Sequence, residues 1–330
     1  MTSVLRPELR SALERLYPAA QSEALVADAS TRRFHRLFLP AGGTRIVMDY
    51  GAPFEGETDD VRLERIFRGA SLPVARVIDI LPKAGALVLE DLGDQTLEHA
   101  VGASASPVSP MRTGTYQAAV DLASAIATRG TEALVASDRA VGPALDAERF
   151  RFEMGFFLDH YVGSYLGRPE AGHRLREPLD ALAVDVASHP RVLCHRDYHS
   201  RNLMVRPDGT LAMVDIQDAR WGPDTYDLAS LLRDAYVDLS EREVDDLFEC
   251  YRAVLPERPD LATLRNRFNL VAAQRMIKAL GTFGYQIAIL GRDRYKTAIP
   301  RTLSRLSAVL PGDTQTESLA EALSKAEILT

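Results

Sequence analysis

The sequence predicts an α+β chain of two unequal lobes, a small β-rich one first and a larger, mainly helical one after it. Three observations lead there. Strand-like runs separated by turn residues dominate as far as residue 92, helical periodicity dominates from about residue 113, and one β-like island interrupts the helices at 192–219 (VLCHRDYHSRNLMVRPDGTLAMVDIQDA). The boundary is placed after residue 92, giving lobes of 1–92 and 93–330. A chain of 330 residues is long enough for such an arrangement.

In chain order, Leu5, Leu9, Leu13 and Leu16 share one helical face, and Pro18 closes that segment. TRRFHRLFL and TRIVMDY follow as strands, joined through Pro40-Ala41-Gly42-Gly43, which reads as a β-hairpin. The charged, amphipathic VRLERIFRGA (61–70) predicts a helix. ARVIDI and GALVLEDLG then make a second strand pair, turning at Lys83 to Gly85. Residues 102–110 (GASASPVSP) predict a loop, small and Ser-rich with two prolines. Helices are expected over 113–128, 147–166, 177–188, 225–238, 241–254 and 260–290, with a last one near 314–327. The island turns at Pro207-Asp208-Gly209.

Composition narrows the classes of function. A hydrophobic fraction of 46% and a charged fraction of 26% are those of an ordinary globular protein. The net charge of −7 argues against a general nucleic-acid binder, which needs a basic face. Two cysteines, Cys194 and Cys250, without a CxxC pair suit a reducing cytosol and suggest neither a zinc site nor a disulfide framework. The N-terminal MTSVLRPELRSALERL lacks the apolar core of a signal peptide, and no uncharged apolar run approaches 18 residues. The expectation is a cytoplasmic monomer without nucleic-acid or membrane partners.

The island carries the chemistry. His195-Arg196-Asp197 followed by Asn202 has the spacing of a kinase catalytic loop, in which Asp is the base and Asn a metal ligand. Asp215 comes eighteen positions after Asp197, at the end of the apolar LAMVD. Phosphoryl transfer asks little covalent chemistry of a protein. It asks for Mg²⁺ held between phosphate oxygens and a hydroxyl aimed at phosphorus. Magnesium takes hard oxygen ligands, so Asn202 and Asp215 can supply the metal shell while Asp197 stays free for the acceptor.

HRDYHSRNLMV and MVDIQDARWGPDTYDLASLLRD together resemble the aminoglycoside-phosphotransferase and choline-kinase superfamily. Within it, DASTRRFHR, IVMDYGAP, LVLEDLG and AQRMIKALGTFGYQIAILGRDRYKTAIPRTL resemble the bacterial anomeric kinases of N-acetylmuramate and N-acetylglucosamine. The resemblance runs from about residue 5 to about residue 310. It implies a bilobal protein-kinase-like fold, with nucleotide bound by the first lobe and catalysis and acceptor binding in the second. It also implies ATP and Mg²⁺ as cofactors, an amino-sugar acceptor, an α-1-phosphate product and a place in cell-wall sugar recycling. By the same resemblance Asp197 is the base, Asn202 and Asp215 are the metal pair, and His195 braces the loop. Asp227 reads either as the family's structural Asp or as a plain helix N-terminal carboxylate. Glu90 to Leu92 falls where the interlobe hinge binds adenine through backbone groups.

The chain departs from the protein-kinase pattern at the phosphate side. That pattern has a Gly-rich loop and a Lys on the third strand. Here the first turn, Ala27 to Arg33, has no glycine, and Met48 stands near the lysine position, with Glu64 the nearest partner on the following helix. Ser30 and Thr31, with Arg32 or Arg33, are the candidate replacements, because guanidinium pairs well with phosphate oxygens. The other reading of these residues is a solvated strand face. For the acceptor, Glu153, His199, Gln217, Arg275 and Lys278 are candidates, against ordinary solvated helix and loop positions. Asp224 follows Asp215 by nine positions, with no A-P-E between Asp215 and the next helix. So short a segment suits a small metabolite better than a protein substrate. Two other functions stay open: phosphorylation of an aminoglycoside or another small alcohol, and a nucleotide-binding pseudokinase without turnover.

Overall fold

The structure, a computed structural model, describes residues 5–25, 32–102, 110–137, 141–256, 258–310 and 314–329. Its first lobe is one antiparallel sheet of β1 (Gln21–Leu25), β2 (Arg33–Phe38), β3 (Thr44–Asp49), β4 (Val77–Leu81) and β5 (Ala86–Glu90), in the spatial order β1-β2-β3-β5-β4. Gly42 and Gly43 hold φ of 91° and 84° in the β2–β3 turn, a conformation open to glycine at little cost. Strand alternation gives the sheet two apolar faces. Leu37, Val47, Ala86 and Val88 pack against Leu9, Ala12 and Leu13 of α1 (Pro7–Leu16). On the other face Met48 and Leu87 meet Val61 of α2 (Asp59–Gly69). Thr58 caps α2 by accepting the Val61 N–H, and Asp59 and Asp60 lie in its first turn, favoured by the helix dipole.

The second lobe is built from α3 (Leu97–Gly102), α4 (Pro110–Ala125), α5 (Thr131–Ser137), α6 (Ala147–Phe157), α7 (Ala171–Ser188), α8 (Tyr226–Leu232), α9 (Glu241–Val254), α10 (Leu261–Ala288), α11 (Ile299–Val309) and α12 (Thr314–Lys325). Strands β6 (Arg191–Cys194) and β9 (Arg220–Pro223) pair antiparallel, and β7 (Leu203–Val205) and β8 (Leu211–Met213) form the island's hairpin. The buried helix α10 runs through the lobe's core. Two glycines let it approach the π-helical turn Leu158–Tyr165 that continues α6. A Cβ at Gly281 would meet Phe157 Cα at 2.9 Å, and one at Gly284 would meet His160 O at 2.5 Å.

The lobes are joined through the hairpin as well as through the covalent connection. Ala75 N–H donates to Met213 O (3.3 Å) and Met213 N–H to Pro73 O (2.8 Å) on one edge, while Val205 N–H donates to Gln95 O (2.7 Å) on the other. Leu92 packs on Met204 and Ala212.

The mixed α+β architecture expected from the sequence is observed, with differences of detail. Strand β1 is an addition to the expected order, and α11 and the 3₁₀ turn Asp293–Ala298 before it were not anticipated. The helix expected over 225–238 stops at Leu232, because Asp234 turns to accept the backbone N–H groups of Ser200 and Tyr236. The helix expected from 177 begins at Ala171 and carries Pro178 inside it. The helices expected over 113–128 and 147–166 each pass into a π-helical turn, Ile126–Gly130 and Leu158–Tyr165. Most of the loop expected over 102–110 lies outside the described residues.

Candidate active site

The loop from His195 to Asn202 leaves β6 and enters β7, held by two buried carboxylates. Asp227, at the start of α8, accepts the backbone N–H groups of His195 (2.7 Å) and Arg196 (3.0 Å). Burial pushes the Asp227 carboxyl up, against those two bonds and the His195 ring. Asp234 accepts the Ser200 backbone N–H at 2.8 Å, and its Oγ–H as well. His195, fully buried, hydrogen-bonds Val214 O through Nε2 (2.9 Å), tying the loop to the end of β8. Tyr198 donates to Ala119 O of α4 (2.7 Å). Arg275 of α10 donates to Arg196 O (2.9 Å) with its guanidinium 4.4 Å from the Tyr226 ring centre. With all these contacts in place, Arg196 is held at φ 81°, the left-handed region that a side chain adopts only when its surroundings compel it.

Asp197 stands at the centre of this loop. Its backbone carbonyl accepts from the Asn202 amide (2.9 Å) and the His199 N–H (3.0 Å), leaving the carboxylate to face α10. Lys278 Nζ lies 4.0 Å from Asp197 Oδ1 and 3.7 Å from Glu153 Oε1. Burial alone would raise the Asp197 carboxyl, but Lys278, Arg275 and Arg196 together hold it well below the usual carboxylate range. Glu153, on α6, is buried and accepts from Gln274 Nε2 (2.8 Å). Glu153 Oε1 is faced by two cations, Lys278 Nζ and Arg149 Nε (3.5 Å), while Gln274 Oε1 is buried without a hydrogen-bond partner. Nature rarely leaves such an atom unpaired. His199 sets its ring edge-on to Tyr236 at 5.5 Å, and burial lowers its pKa.

The second chemical element closes on the first across the hairpin. Val214 N–H donates to Asn202 O (3.0 Å), so β8 delivers Asp215 beside the loop. Asp215 is exposed and, like Arg196, left-handed (φ 62°). Gln217 Nε2 donates to Asp215 Oδ1 (2.7 Å). The Asn202 side chain gives its N–H to Asp197 O, which leaves its carbonyl oxygen as the end free for a cation. One carboxylate and one amide oxygen on adjoining strands fit Mg²⁺, which is bound by few protein ligands and completes its shell with phosphate and water. Among the described residues no cluster of three or more His, Cys, Asp or Glu forms an all-protein cage.

On the nucleotide side, Ser30 and Thr31 lie outside the described residues. The two arginines part. Arg33 faces Asp49 (3.7 Å), which also holds Arg6 of the α1 N-cap (2.6 Å), on the α1 side of the sheet. Arg32 pairs with Asp60 of α2 (2.9 Å), on the side of Met48. Glu64 is turned to Arg68 (3.2 Å) and the Val77 N–H (3.4 Å), so it ties α2 to β4. Glu90 pairs with Arg76 (3.1 Å). Leu92 makes no backbone hydrogen bond among the described residues.

Thus the structure brings together Asp197, Asn202, Asp215, His199, Glu153 and Lys278. Gln217 and Arg275, also acceptor candidates, donate to Asp215 and to the loop backbone at Arg196. Sequence reasoning missed Gln274 and Asp234. Gln274 lies one helical turn before Lys278, a spacing that places both on one face of α10. Asp234 carries no motif, and only the tertiary fold reveals it.

A two-lobed fold with this loop and hairpin defines a phosphotransferase. Residues 22–265 match the phosphotransferase enzyme family, and the chain belongs to it. A protein of Neisseria meningitidis named N-acetylmuramate/N-acetylglucosamine kinase is 29% identical over 312 residues, covering 92% of this chain and 90% of that one. One of Pseudomonas aeruginosa with the same name is 30% identical over 321 residues, covering 93% and 88%. Among solved structures, LicA, a choline kinase of Streptococcus pneumoniae, in complex with AMP superposes with a TM-score of 0.58 at 14% identity, covering 93% and 99%. Among the described residues no helix is long and apolar enough to cross a membrane.

Proposed function

We propose that this phosphotransferase is a kinase that uses ATP and Mg²⁺ to phosphorylate the anomeric hydroxyl of N-acetylmuramate or N-acetylglucosamine, giving the α-1-phosphate. The observation that carries the reading is the setting of Asp197, fixed by its loop on one side and faced on the other by Lys278 and Glu153. The names borne by the relatives supply the choice of sugar. The buried Gln274 Oε1, which has no hydrogen-bond partner, is an acceptor for a sugar hydroxyl or amide group, beside the Glu153 carboxylate that Lys278 and Arg149 face. Lys278 suits an oxygen-rich acceptor, and a lactyl carboxylate in particular.

In this reading residues 1–92 form the nucleotide lobe and 93–330 the catalytic and acceptor lobe. Asn202 and Asp215 hold Mg²⁺, which when bound neutralises charge on the phosphate oxygens. Leu92 and its neighbours offer the hinge backbone to the base. Asp197 aligns the 1-hydroxyl. A carboxylate of such low basicity does not strip an alcohol in the ground state. It takes the proton once the new O–P bond has made that proton acidic, which suits a loose transition state. Lys278 keeps Asp197 ionised, and Arg275 keeps the loop in register. The cytoplasm, where ATP meets recycled cell-wall sugars, is the matching compartment.

Phosphorus NMR of reactions with Mg-ATP tests this. With either amino sugar, a new sugar-phosphate resonance split by the anomeric proton is the expected result. A phosphorylated aminoglycoside and no sugar product would move the chain to another acceptor class. ATP left intact with every acceptor would contradict turnover altogether.

A further inference from the structure

Kinases of the protein-kinase pattern hold a strand-borne lysine against a carboxylate of the following helix, and that pair must be in place for transfer. In this chain Met48 occupies the lysine's place on β3. It is buried between its cross-strand neighbours Phe34 and Leu87, on the face covered by α2. A cation is nevertheless present where a lysine side chain would end. Arg32 Nη1 lies 3.4 Å from Met48 Sδ and 2.9 Å from Asp60 Oδ1 on α2. The guanidinium sits 5.1 Å from the centre of the Tyr50 ring. Tyr50 in turn donates its hydroxyl to the second oxygen of Asp60 (2.6 Å), so the carboxylate is oriented from both sides. The helix that carries Asp60 packs on the turn Ile216–Asp218, directly after Asp215. Arg32 itself is the residue immediately before β2.

From this arrangement we infer that Arg32 has taken over the missing strand lysine as the cation that binds the nucleotide phosphates, with Asp60 and Tyr50 as its positioning residues. The charge has moved from the end of β3 to the residue just before β2, and its helix partner from the expected Glu64 to Asp60, one turn earlier. Glu64 is committed to Arg68 and the Val77 N–H and meets no strand cation among the described residues. A guanidinium in this place presents a planar fork to two phosphate oxygens, where an ammonium presents a point charge. The inference rests on the kinase reading but not on the identity of the acceptor.

Calorimetry on the full chain, without acceptor, tests it with two probes, Mg-ATPγS and adenosine. Arg32→Met should weaken Mg-ATPγS by about tenfold to a hundredfold, the usual loss for a charge-assisted contact, and leave adenosine unchanged. Asp60→Asn should weaken the same probe less, again sparing adenosine. Adding Met48→Lys to Arg32→Met should recover most of the lost affinity, because it returns a cation to the same spot from the neighbouring strand. A merely structural ion pair predicts otherwise: Mg-ATPγS and adenosine would weaken together, or the double variant would stay as weak as the single. Either result overturns the inference, as does an Arg32→Met that binds Mg-ATPγS as the parent does. If the parent protein binds no nucleoside triphosphate, the kinase reading itself falls and this inference with it.

Discussion

The loop from His195 to Asn202 and the Arg32–Asp60 pair on the first lobe are built on different principles. Asp227 and Asp234 grip the loop by its backbone, through N–H groups of His195, Arg196 and Ser200, and Arg275 holds the Arg196 carbonyl. By contrast, Arg32 and Asp60 meet only through their side chains, with 22% and 11% of their side-chain surface still exposed. Backbone seating fixes atoms to within a few tenths of an ångström and demands particular residues at particular spacings. A cation near phosphate can be delivered from any neighbouring strand. Chemistry that needs geometry therefore leaves a motif, and chemistry that needs only charge leaves a substitutable one.

Four variants break or sharpen that contrast. The largest effect belongs to Asp197→Asn, which removes the aligning carboxylate and keeps its shape. Steady-state kinetics should show kcat down by about 10²–10⁴-fold with the unfolding transition unmoved. Next, Asp227→Ala leaves two buried N–H groups without a partner. Urea unfolding should show a loss of about 1–3 kcal/mol, with turnover falling as the loop loosens. Third, Lys278→Met acts through Asp197. In the parent, the carboxyl is held below its ordinary value, so it is ionised throughout the working range and gives no acid limb above about pH 4. Removing Lys278 takes away the leading opposing cation and raises the carboxyl, so the pH–rate profile should gain an acid limb that moves upward. A profile unchanged by the substitution would mean that Lys278 does not set the charge of Asp197. Smallest of all, Arg33→Ala deletes a half-exposed arginine 3.7 Å from Asp49. Stability should change by no more than about 0.5 kcal/mol and Mg-ATPγS affinity not at all, in contrast to Arg32→Met.

Legibility in the sequence follows the same division. His195 to Asn202 and Asp215 could be read directly, because loop spacing and a strand-terminal Asp are local features. The β2–β3 hairpin announced itself through Gly42 and Gly43, and the α2 helix through its charged, amphipathic run. Arg32 stood among the candidates but could not be separated from Arg33. Only the pairing of β2 with β3 shows that alternate residues part to opposite faces of the sheet, one toward α2 and one toward α1. Arg275 and Lys278 are three apart on α10 and looked equivalent. Packing decides that one supports the loop backbone while the other faces Asp197. The end of α8 at Leu232 was invisible for a similar reason, since Asp234 leaves the helix for a partner 34 residues earlier in the chain.

The chain enters the end of the first lobe along one edge of the β7–β8 hairpin, at Pro73 to Ala75, and returns along the other, at Gln95 and Thr96. Asn202 and Asp215 lie at the hairpin's open end, in register with the crossing at Leu92. Helix α2 belongs to both lobes: Val61 packs under the sheet, while Leu63, Ile66 and Phe67 are buried in the core of the second lobe and the helix rests on the turn Ile216–Asp218. It is a beam shared by two storeys, so Asp60 is seated by the same element that braces the residues following Asp215.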